Sequence, residues 1–406
     1  MSGSAKDLNE EPFAGEKVAG IFPFQHRSIL FIFVSSFFFW AAIYFYAPVL
    51  PVYAESLGAS LTTVGIIGAA YALPQLLFRI PMGIWSDYLG RRKPLVIGGI
   101  VIVLLGAVGL WISPNPWSLT LSRGLVGVGS ATWVAFTIYA VSFYPENNTV
   151  QVVGILNFII YAAMTVTTAI GGLVADVWGE KSAFVIAAIL AILALIPALF
   201  AREYQMPKTE ILSWKGFRQV AQRPLLIVVS IMGILVFFVE FASVLGFIPV
   251  YAAKIGASNT ELGILTMLAT GVSMVGSLAV APMIKRWGNV FTLVLGSIML
   301  GLSLLMVPFI HSIPLLDTVQ AFNGMGWGML STQLTALSIY NTAPQKRATA
   351  MGFFQAMYAI GMLMGPLVSG LLADNFGLAV IFYFSSAVCL AVIGMAYLPV
   401  LPKRQS

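Results

Sequence analysis

Residues 51–66, PVYAESLGASLTTVGI, recur in the second half of the chain as residues 249–264, PVYAAKIGASNTELGI. The two stretches align without gaps and share 10 of 16 residues at an offset of 198. The same offset brings Asp176 onto Asp374, more than 100 residues further along. Close helix packing explains isolated glycines in a membrane protein, but it does not explain a register kept over that length. We therefore predict an internal duplication with two structurally equivalent halves.

The composition places both halves in a membrane. The 406 residues are 59% hydrophobic and only 9% charged, which is far from the composition of a soluble domain. Because six spans per half is an even number, the halves are expected to share one orientation, with a central pathway between them. The predicted fold class is an all-α membrane protein with 12 transmembrane helices in two pseudo-symmetric six-helix bundles. Each span is long enough to cross a hydrocarbon core of ~30 Å, and the twelve are 28–54, 61–85, 94–113, 117–143, 150–174, 181–201, 224–251, 261–284, 290–311, 314–341, 348–373 and 378–399.

The distribution of Lys and Arg predicts the orientation of these helices, since basic residues accumulate in cytoplasmic loops. With the N-terminus inside, 17 of the 21 basic residues lie on the cytoplasmic side, two lie outside, and Arg79 and Arg123 lie within spans. The net charge of +6 is thus explained by topology, and we expect no nucleic-acid partner. The polar start of the chain lacks the apolar core of a secretory signal. The predicted order is a cytoplasmic tail (1–27), a first bundle (28–201), a cytoplasmic linker (202–223), a second bundle (224–399) and a second cytoplasmic tail (400–406).

Between spans two and three, residues 83–93 contain Gly83, Asp87, Gly90, Arg91, Arg92 and Lys93. This pattern resembles the cytoplasmic loop signature of the major facilitator superfamily of secondary transporters. Glycines permit a tight turn there, and a carboxylate beside cations can form a latch between helices. The resemblance covers residues 28–399 and implies that Asp87 lies against the positive N-terminal end of span eleven in the outward-facing state. In the second half Ala281 and Lys285 occupy the equivalent places, so that copy is degraded. The predicted conformational gate consists of Gly83, Asp87, Gly90, Arg91 and Arg92.

Further motifs point to one branch of this superfamily. In span four, Arg123, Gly127 and Gly129 resemble the family's arginine followed by Gly-x-Gly. Residues 48–51, PVLP, are similar to the end of span one in the twelve-helix drug:proton antiporters. In span five, however, residues 167–168 are Thr-Thr where those antiporters carry Gly-Pro. The resemblance implies proton-coupled efflux of a small organic molecule by alternating access, while uptake by proton symport and transport of a lipid-linked solute stay open as alternatives.

Ionisable residues inside the bilayer are the strongest pointers to transport chemistry. Glu240 lies near the middle of span seven among Phe237, Phe238 and Phe241. Burial disfavours the charged form of a carboxyl group, so Glu240 can bind and release a proton near neutral pH. An arginine at membrane depth costs at least ~2.5 kcal/mol and should face protein or water. We predict that Glu240 and Arg123 couple transport to protons; the alternatives are a permanent ion pair for Glu240 and a structural role for Arg123.

Polar and aromatic side chains within the spans are candidates for contact with the substrate. Arg79 continues a row of Tyr71 and Gln75 at helical spacing, although an arginine near a helix end can also extend to the interface. Paired amides in equivalent helices can bind a polar solute or bond to each other. Asp176 and Asp374, at outer helix ends, are interpreted as gate or capping residues. The predicted substrate-binding residues are Arg79, Gln75, Tyr44, Asn157, Gln355, Gln320 and Tyr139.

Other protein classes fit this sequence poorly. A membrane enzyme would need a nucleophile with a base, paired acids or metal ligands, and the spans offer one Cys and no paired acids. An ion channel would show a filter loop or a pore ring. We expect a transporter and not an enzyme, acting as a monomer in the bacterial cytoplasmic membrane. Its partners would be a small molecule, protons and the lipid bilayer, and we expect no cofactor or metal. Two arginines and one glutamate are embedded in the spans, and this balance of charge favours an anionic, zwitterionic or neutral solute.

Overall fold

The computed structural model describes residues 27–89, 91–144, 149–203, 214–342 and 344–402, and these ranges are helical almost throughout. In a membrane the backbone must satisfy its own hydrogen bonds, which helices do within one segment. The elements are α1 (Arg27–Tyr44), α2 (Leu50–Ser56), α3 (Leu61–Leu89), α4 (Lys93–Ile112), α5 (Pro116–Ala131), α6 (Trp133–Val141), α7 (Thr149–Trp178), α8 (Glu180–Phe200), α9 (Trp214–Ala221), α10 (Pro224–Ala242), α11 (Ile248–Lys254), α12 (Asn259–Met306), α13 (Ile313–Ser338), α14 (Pro344–Phe376) and α15 (Leu378–Ala396).

These helices are compatible with the predicted twelve crossings. Within the described ranges, ten helical segments have the length and hydropathy of a membrane span. One of them is α12 and its 3₁₀ extension, and α12 has a break at Gly288 with φ 86° and ψ 173°. The helical parts before and after that break correspond to spans eight and nine. Helix α13 is more polar, but its 26 residues reach about 39 Å, which is enough to cross the hydrocarbon core.

Spans one and seven are interrupted at equivalent places. Span one consists of α1, a turn at residues 45–49, and α2; span seven consists of α10, a π-helical turn at Ser243–Phe247, and α11. Each short helix has a proline in its first turn, where the missing N–H is tolerated. The bounds of α2 and α11 differ by 198, and so do the positive-φ glycines Gly58 and Gly256. The predicted duplication is therefore present in the backbone.

The two halves meet through two equivalent helix pairs. Helix α3 of the first half packs on α14 of the second, and α7 of the first packs on α12 of the second. The approach is closest at glycines: a Cβ atom on Gly370 would lie 2.6 Å from the Leu61 carbonyl oxygen, and one on Gly172 would lie 2.2 Å from that of Asn259. Absence of a side chain lets the backbones touch there, as is common between membrane helices.

Two aspartates close the bundle at the end that the charge distribution predicts to be outside. Asp374 accepts hydrogen bonds from the backbone N–H groups of Leu61 and Thr62 at 3.0 and 2.8 Å. Asp176 accepts two equivalent bonds, from Asn259 at 3.0 Å and Thr260 at 2.7 Å. Each carboxylate thus satisfies free N–H groups at the start of a helix in the other half. The prediction that these aspartates are capping residues is confirmed.

Toward the other end the equivalent glycines make no such approach. A Cβ atom on Gly154 of α7 or on Gly352 of α14 would have no atom of the described residues within 4 Å outside its own helix. Gly172 and Gly370, on the outer parts of these helices, are in contact with the opposite half. The structure is therefore closed at the predicted outer end, and at Gly154 and Gly352 no described residue of the opposite half makes a contact of this kind.

Candidate functional site

Glu240 is the central acidic group of the structure. It lies on α10, three residues before the π-helical turn, and only 4% of its surface is exposed. Its Oε2 atom is buried and has no hydrogen-bond partner among the described residues. No described cation compensates its charge, so the alternative of a permanent ion pair is not seen. The side chain is thus a buried carboxyl group that is free to take a proton or a ligand.

Tyrosines of the first half lie close to this carboxyl group. Tyr44 of α1 is near enough to interact electrostatically with both Glu240 and Arg123. Tyr161 of α7 interacts electrostatically with Glu240 as well, and Ser331 of α13 is another of its polar neighbours. Glu240 belongs to the second half, so it lies at the boundary between the halves. This position is suitable for a group whose surroundings change when the halves move.

Arg123 is held by aromatic side chains. It lies on α5, is 8% exposed, and donates a hydrogen bond from Nη1 to the Tyr46 hydroxyl at 2.7 Å. Its guanidinium carbon lies 4.2 Å from the ring centre of Tyr71 and 5.3 Å from that of Tyr46, which are cation–π distances. No carboxylate of the described residues compensates its charge. Arg123 lines a small cavity of about 40 Å³, together with Tyr44, Phe241 and Pro366.

Arg79 makes a contact across the halves. Its Nη2 atom donates to Oε1 of Gln75 at 2.6 Å, which continues the row predicted along α3. Its Nη1 atom donates to the hydroxyl of Tyr358 on α14 at 3.1 Å. Arg79 is only 9% exposed and therefore does not extend to the membrane interface. The ring of Tyr358 stacks on Phe237 of α10, with centres 3.8 Å apart and an interplanar angle of 4°.

The remaining predicted substrate residues are not joined to this centre by described contacts. Asn157 is exposed on α7, Gln355 is partly buried on α14, and neither makes a hydrogen bond to a described residue that would support a structural role. Gln320 is fully buried on α13 with both amide atoms unpartnered, and the hydroxyl of buried Tyr139 on α6 is also unpartnered. Their roles stay predictions.

The predicted gate lies largely outside the described residues. Gly90 is outside them, as are the side-chain surroundings of Gly83 and Asp87. Arg91 is exposed, and Arg92 is 4% exposed. The backbone N–H groups of Arg92 and Lys93 both donate to Oε1 of Glu203, the latter at 2.9 Å. Glu203 therefore caps the start of α4, a contact that the motif itself does not reveal.

A carboxyl group and two arginines, all buried near the meeting plane of two equivalent halves, define a multi-pass membrane protein with a central polar site. The sequence profile of the Major Facilitator Superfamily matches residues 32–255 and 231–406. The chain belongs to this superfamily, and it is a transporter rather than an enzyme. The resemblance found in the loop motif and the all-helical membrane fold are both confirmed.

Individual relatives agree with this assignment. The chain is 26% identical over 363 residues to a multi-drug resistance efflux pump PmrA homolog of Lactococcus lactis, covering 86% of this chain and 88% of the relative. It is 25% identical over 368 residues to the multidrug resistance protein MdtG of Proteus mirabilis, with coverage of 84% and 88%. Its fold is similar to the crystal structure of a bacterial homolog of the human lysosomal transporter Spinster, inward-facing and occupied, with a TM-score of 0.78, 14% identity and coverage of 93% and 97%.

Proposed function

We propose that this protein exports a small organic molecule in exchange for protons, by alternating access between its two halves. The observation that carries the proposal is Glu240, a buried carboxyl group at the boundary between the halves that no cation of the described residues compensates. Relatives whose names refer to multidrug resistance and efflux support the direction of transport.

In the proposed cycle the proton and the substrate compete at Glu240. The groups that interact electrostatically with it are Tyr44 on α1 and Tyr161 on α7, and Tyr44 interacts with Arg123 as well. When the site is open to the cytoplasm, the ionised carboxylate binds substrate. When the site is open to the outside, a proton binds and the substrate leaves. The bound proton lowers the affinity for the substrate by the same factor as the bound substrate lowers the affinity for the proton.

The proposal extends to the energy source and the surroundings. The proton gradient would be the sole energy source, without a cofactor, for a monomer in a bacterial cytoplasmic membrane with both termini inside. Arg123 would keep Tyr44 oriented toward Glu240, since its position between the rings of Tyr46 and Tyr71 holds the guanidinium group in place.

The experiment compares Glu240→Gln with Glu180→Gln in proteoliposomes under an imposed pH gradient. Both changes replace a carboxyl group by an amide, but Glu180 lies at the start of α8 and not at the central site. We expect proton-driven transport of a multidrug test panel to fall at least tenfold in Glu240→Gln and to stay unchanged in Glu180→Gln. Undiminished pH-driven transport by Glu240→Gln would overturn the proposal.

Proton symport of an anionic solute is the second candidate. Two buried arginines outnumber one buried glutamate around the centre. Protonation of Glu240 raises the local charge from +1 to +2, so a proton and an anion would favour each other's binding. In the same vesicles, accumulation of an anionic solute together with protons moving in the same direction would replace antiport by symport.

A further inference from the structure

Two buried groups of opposite charge lie in opposite halves and do not neutralise each other. Arg79 of α3 hydrogen bonds to Gln75 and Tyr358, which are both uncharged, and its buried Nε atom has no partner among the described residues. The buried Oε2 atom of Glu240 on α10 likewise has none in the described part of the chain. A buried charge without a partner is unfavourable, so a ligand that brings the complementary charges would be stabilised at both groups.

An aromatic surface connects the two groups. The Tyr358 hydroxyl accepts the Arg79 hydrogen bond, and the Tyr358 ring stacks flat on Phe237. Phe237 precedes Glu240 by three residues on α10, which places both on neighbouring positions of the helix surface. Both rings are partly exposed although they lie deep in the bundle. They therefore offer an apolar stacked pair that lies between the guanidinium group and the helix surface that carries Glu240.

The dimensions of this surface limit the size of a ligand. The guanidinium carbon of Arg79 lies 5.8 Å from the ring centre of Tyr358, and the ring centre of Phe237 lies 3.8 Å from that of Tyr358. With a further ~5–6 Å between Cβ atoms three residues apart on a helix, this path places the charged groups within roughly 15 Å of each other. That span is longer than one small ion and can hold a para-substituted benzene with a charged group on each arm.

We infer that Arg79, Glu240 and the Phe237–Tyr358 ring pair form a two-ended binding site for a zwitterionic aromatic molecule. Its cationic group binds Glu240, its anionic group binds Arg79, and its ring lies against the aromatic pair. The inference rests on the proposed function, because a cationic group on Glu240 competes with the proton as exchange requires. An anion alone would bind best to the protonated site and would not be exchanged.

The test uses three matched probes and the purified full-length protein. The zwitterion is 3-[4-(aminomethyl)phenyl]propanoate; 4-ethylbenzylamine lacks its carboxylate, and 3-(4-methylphenyl)propanoate lacks its ammonium group. Binding is measured by equilibrium dialysis of radiolabelled probe at a pH where all three carry these charges. We expect the zwitterion to bind at least tenfold more tightly than either analogue. Equal affinity for the three probes, or no binding of the zwitterion, would overturn the inference.

Two variants assign each end of the ligand. Arg79→Gln should remove the preference for the zwitterion over the cation, and leave the preference over the anion. Glu240→Gln should do the reverse. Arg79→Lys, which keeps the charge, should retain part of the preference for the zwitterion over the cation. It also serves as a control for a folding defect in Arg79→Gln, and a monodisperse elution profile of each variant checks that it is folded. A zwitterion preference that persists in both glutamine variants contradicts the assignment.

The outcome can be separated from that of the proposed function. If the zwitterion binds preferentially but no probe is transported by a pH gradient, the binding site stands and the antiport proposal fails. If 4-ethylbenzylamine is exchanged for protons as well as the zwitterion, with unchanged kinetics in Arg79→Gln, antiport stands and the two-ended site fails.

Discussion

The outer closure by Asp176 and Asp374 leads to a quantitative prediction. Each carboxylate accepts two backbone hydrogen bonds of 2.7–3.0 Å from the first turn of a helix in the other half. Hydrogen bonds to a charged group contribute ~1.5–3 kcal/mol, and a helix N-terminus adds ~0.3–1 kcal/mol. Both side chains are exposed, so screening reduces these values. Asparagine keeps one acceptor, and we expect each Asp→Asn change to weaken closure by about 1 kcal/mol.

The double variant Asp176→Asn with Asp374→Asn should therefore shift the balance toward the outward-open state about 30-fold, since distant sites add. The assay is the rate at which a membrane-impermeant maleimide, added from outside, modifies a cysteine placed at Ala47, which lines the central cavity. The natural Cys389 is replaced first. Because that rate is proportional to the open fraction, it reports the shift even when the open state is rare.

Asp317→Asn provides the matched control. Asp317 lies at the same end of the bundle on α13, but its Oδ1 atom has no hydrogen-bond partner among the described residues. This variant should change the modification rate less than twofold. Asp176→Asn alone and Asp374→Asn alone should each raise the rate about fivefold. Equal rates in the double variant and the parent protein would show that the two aspartates do not hold the outer end closed.

Three further predictions concern packing and the buried arginine. Gly370→Ala places a Cβ atom 2.6 Å from a backbone oxygen and should destabilise the fold by ~1–3 kcal/mol, which lowers the melting temperature of the detergent-solubilised protein. Gly352→Ala on the same helix is the control and should leave the melting temperature unchanged or raised. Equal melting temperatures of the two variants would refute this prediction. Gly288→Ala should lower the melting temperature as well, because φ is 86° there and a left-handed conformation costs an L-residue ~1–2 kcal/mol; an unchanged value would contradict it. Arg123→Gln should reduce proton-driven vesicle transport at least tenfold through loss of the Tyr46 hydrogen bond. Arg123→Lys should retain part of the transport activity. Full activity of the glutamine variant would exclude a role of Arg123 in coupling.

Much of the fold could be predicted from the sequence, because the membrane restricts the possible structures so strongly. Runs of about 20 apolar residues can only be helices in a bilayer. The repeat at offset 198 predicts which helices are equivalent, and the bounds of α2 and α11 follow that offset. The repeat also relates Asp176 to Asp374, so the same capping role is expected for both aspartates, and both cap a helix in the structure.

Parts of the site could not be predicted, because they depend on contacts between distant segments. Tyr46 lies in the turn at residues 45–49, where helical periodicity no longer indicates direction, and yet it binds Arg123. Stacking of Phe237 on Tyr358 joins α10 to α14, and neither position has a polar pattern that would pair them. Nothing in the spacing of Glu203 indicates that it caps α4.

The amino-acid sequence by itself determined the membrane location, the repeat and the identity of the few charged residues at membrane depth, since these follow from local hydropathy and register. Only the tertiary structure decided that Arg79 bonds to Tyr358, that Glu240 has no cationic partner among the described residues, and that the bundle is closed at the end of Asp176 and Asp374. The physical reason is that pairing of buried charges and contact between the halves depend on how rigid helices are placed relative to one another. That placement is set by packing across the interface and leaves no periodic signal along the chain.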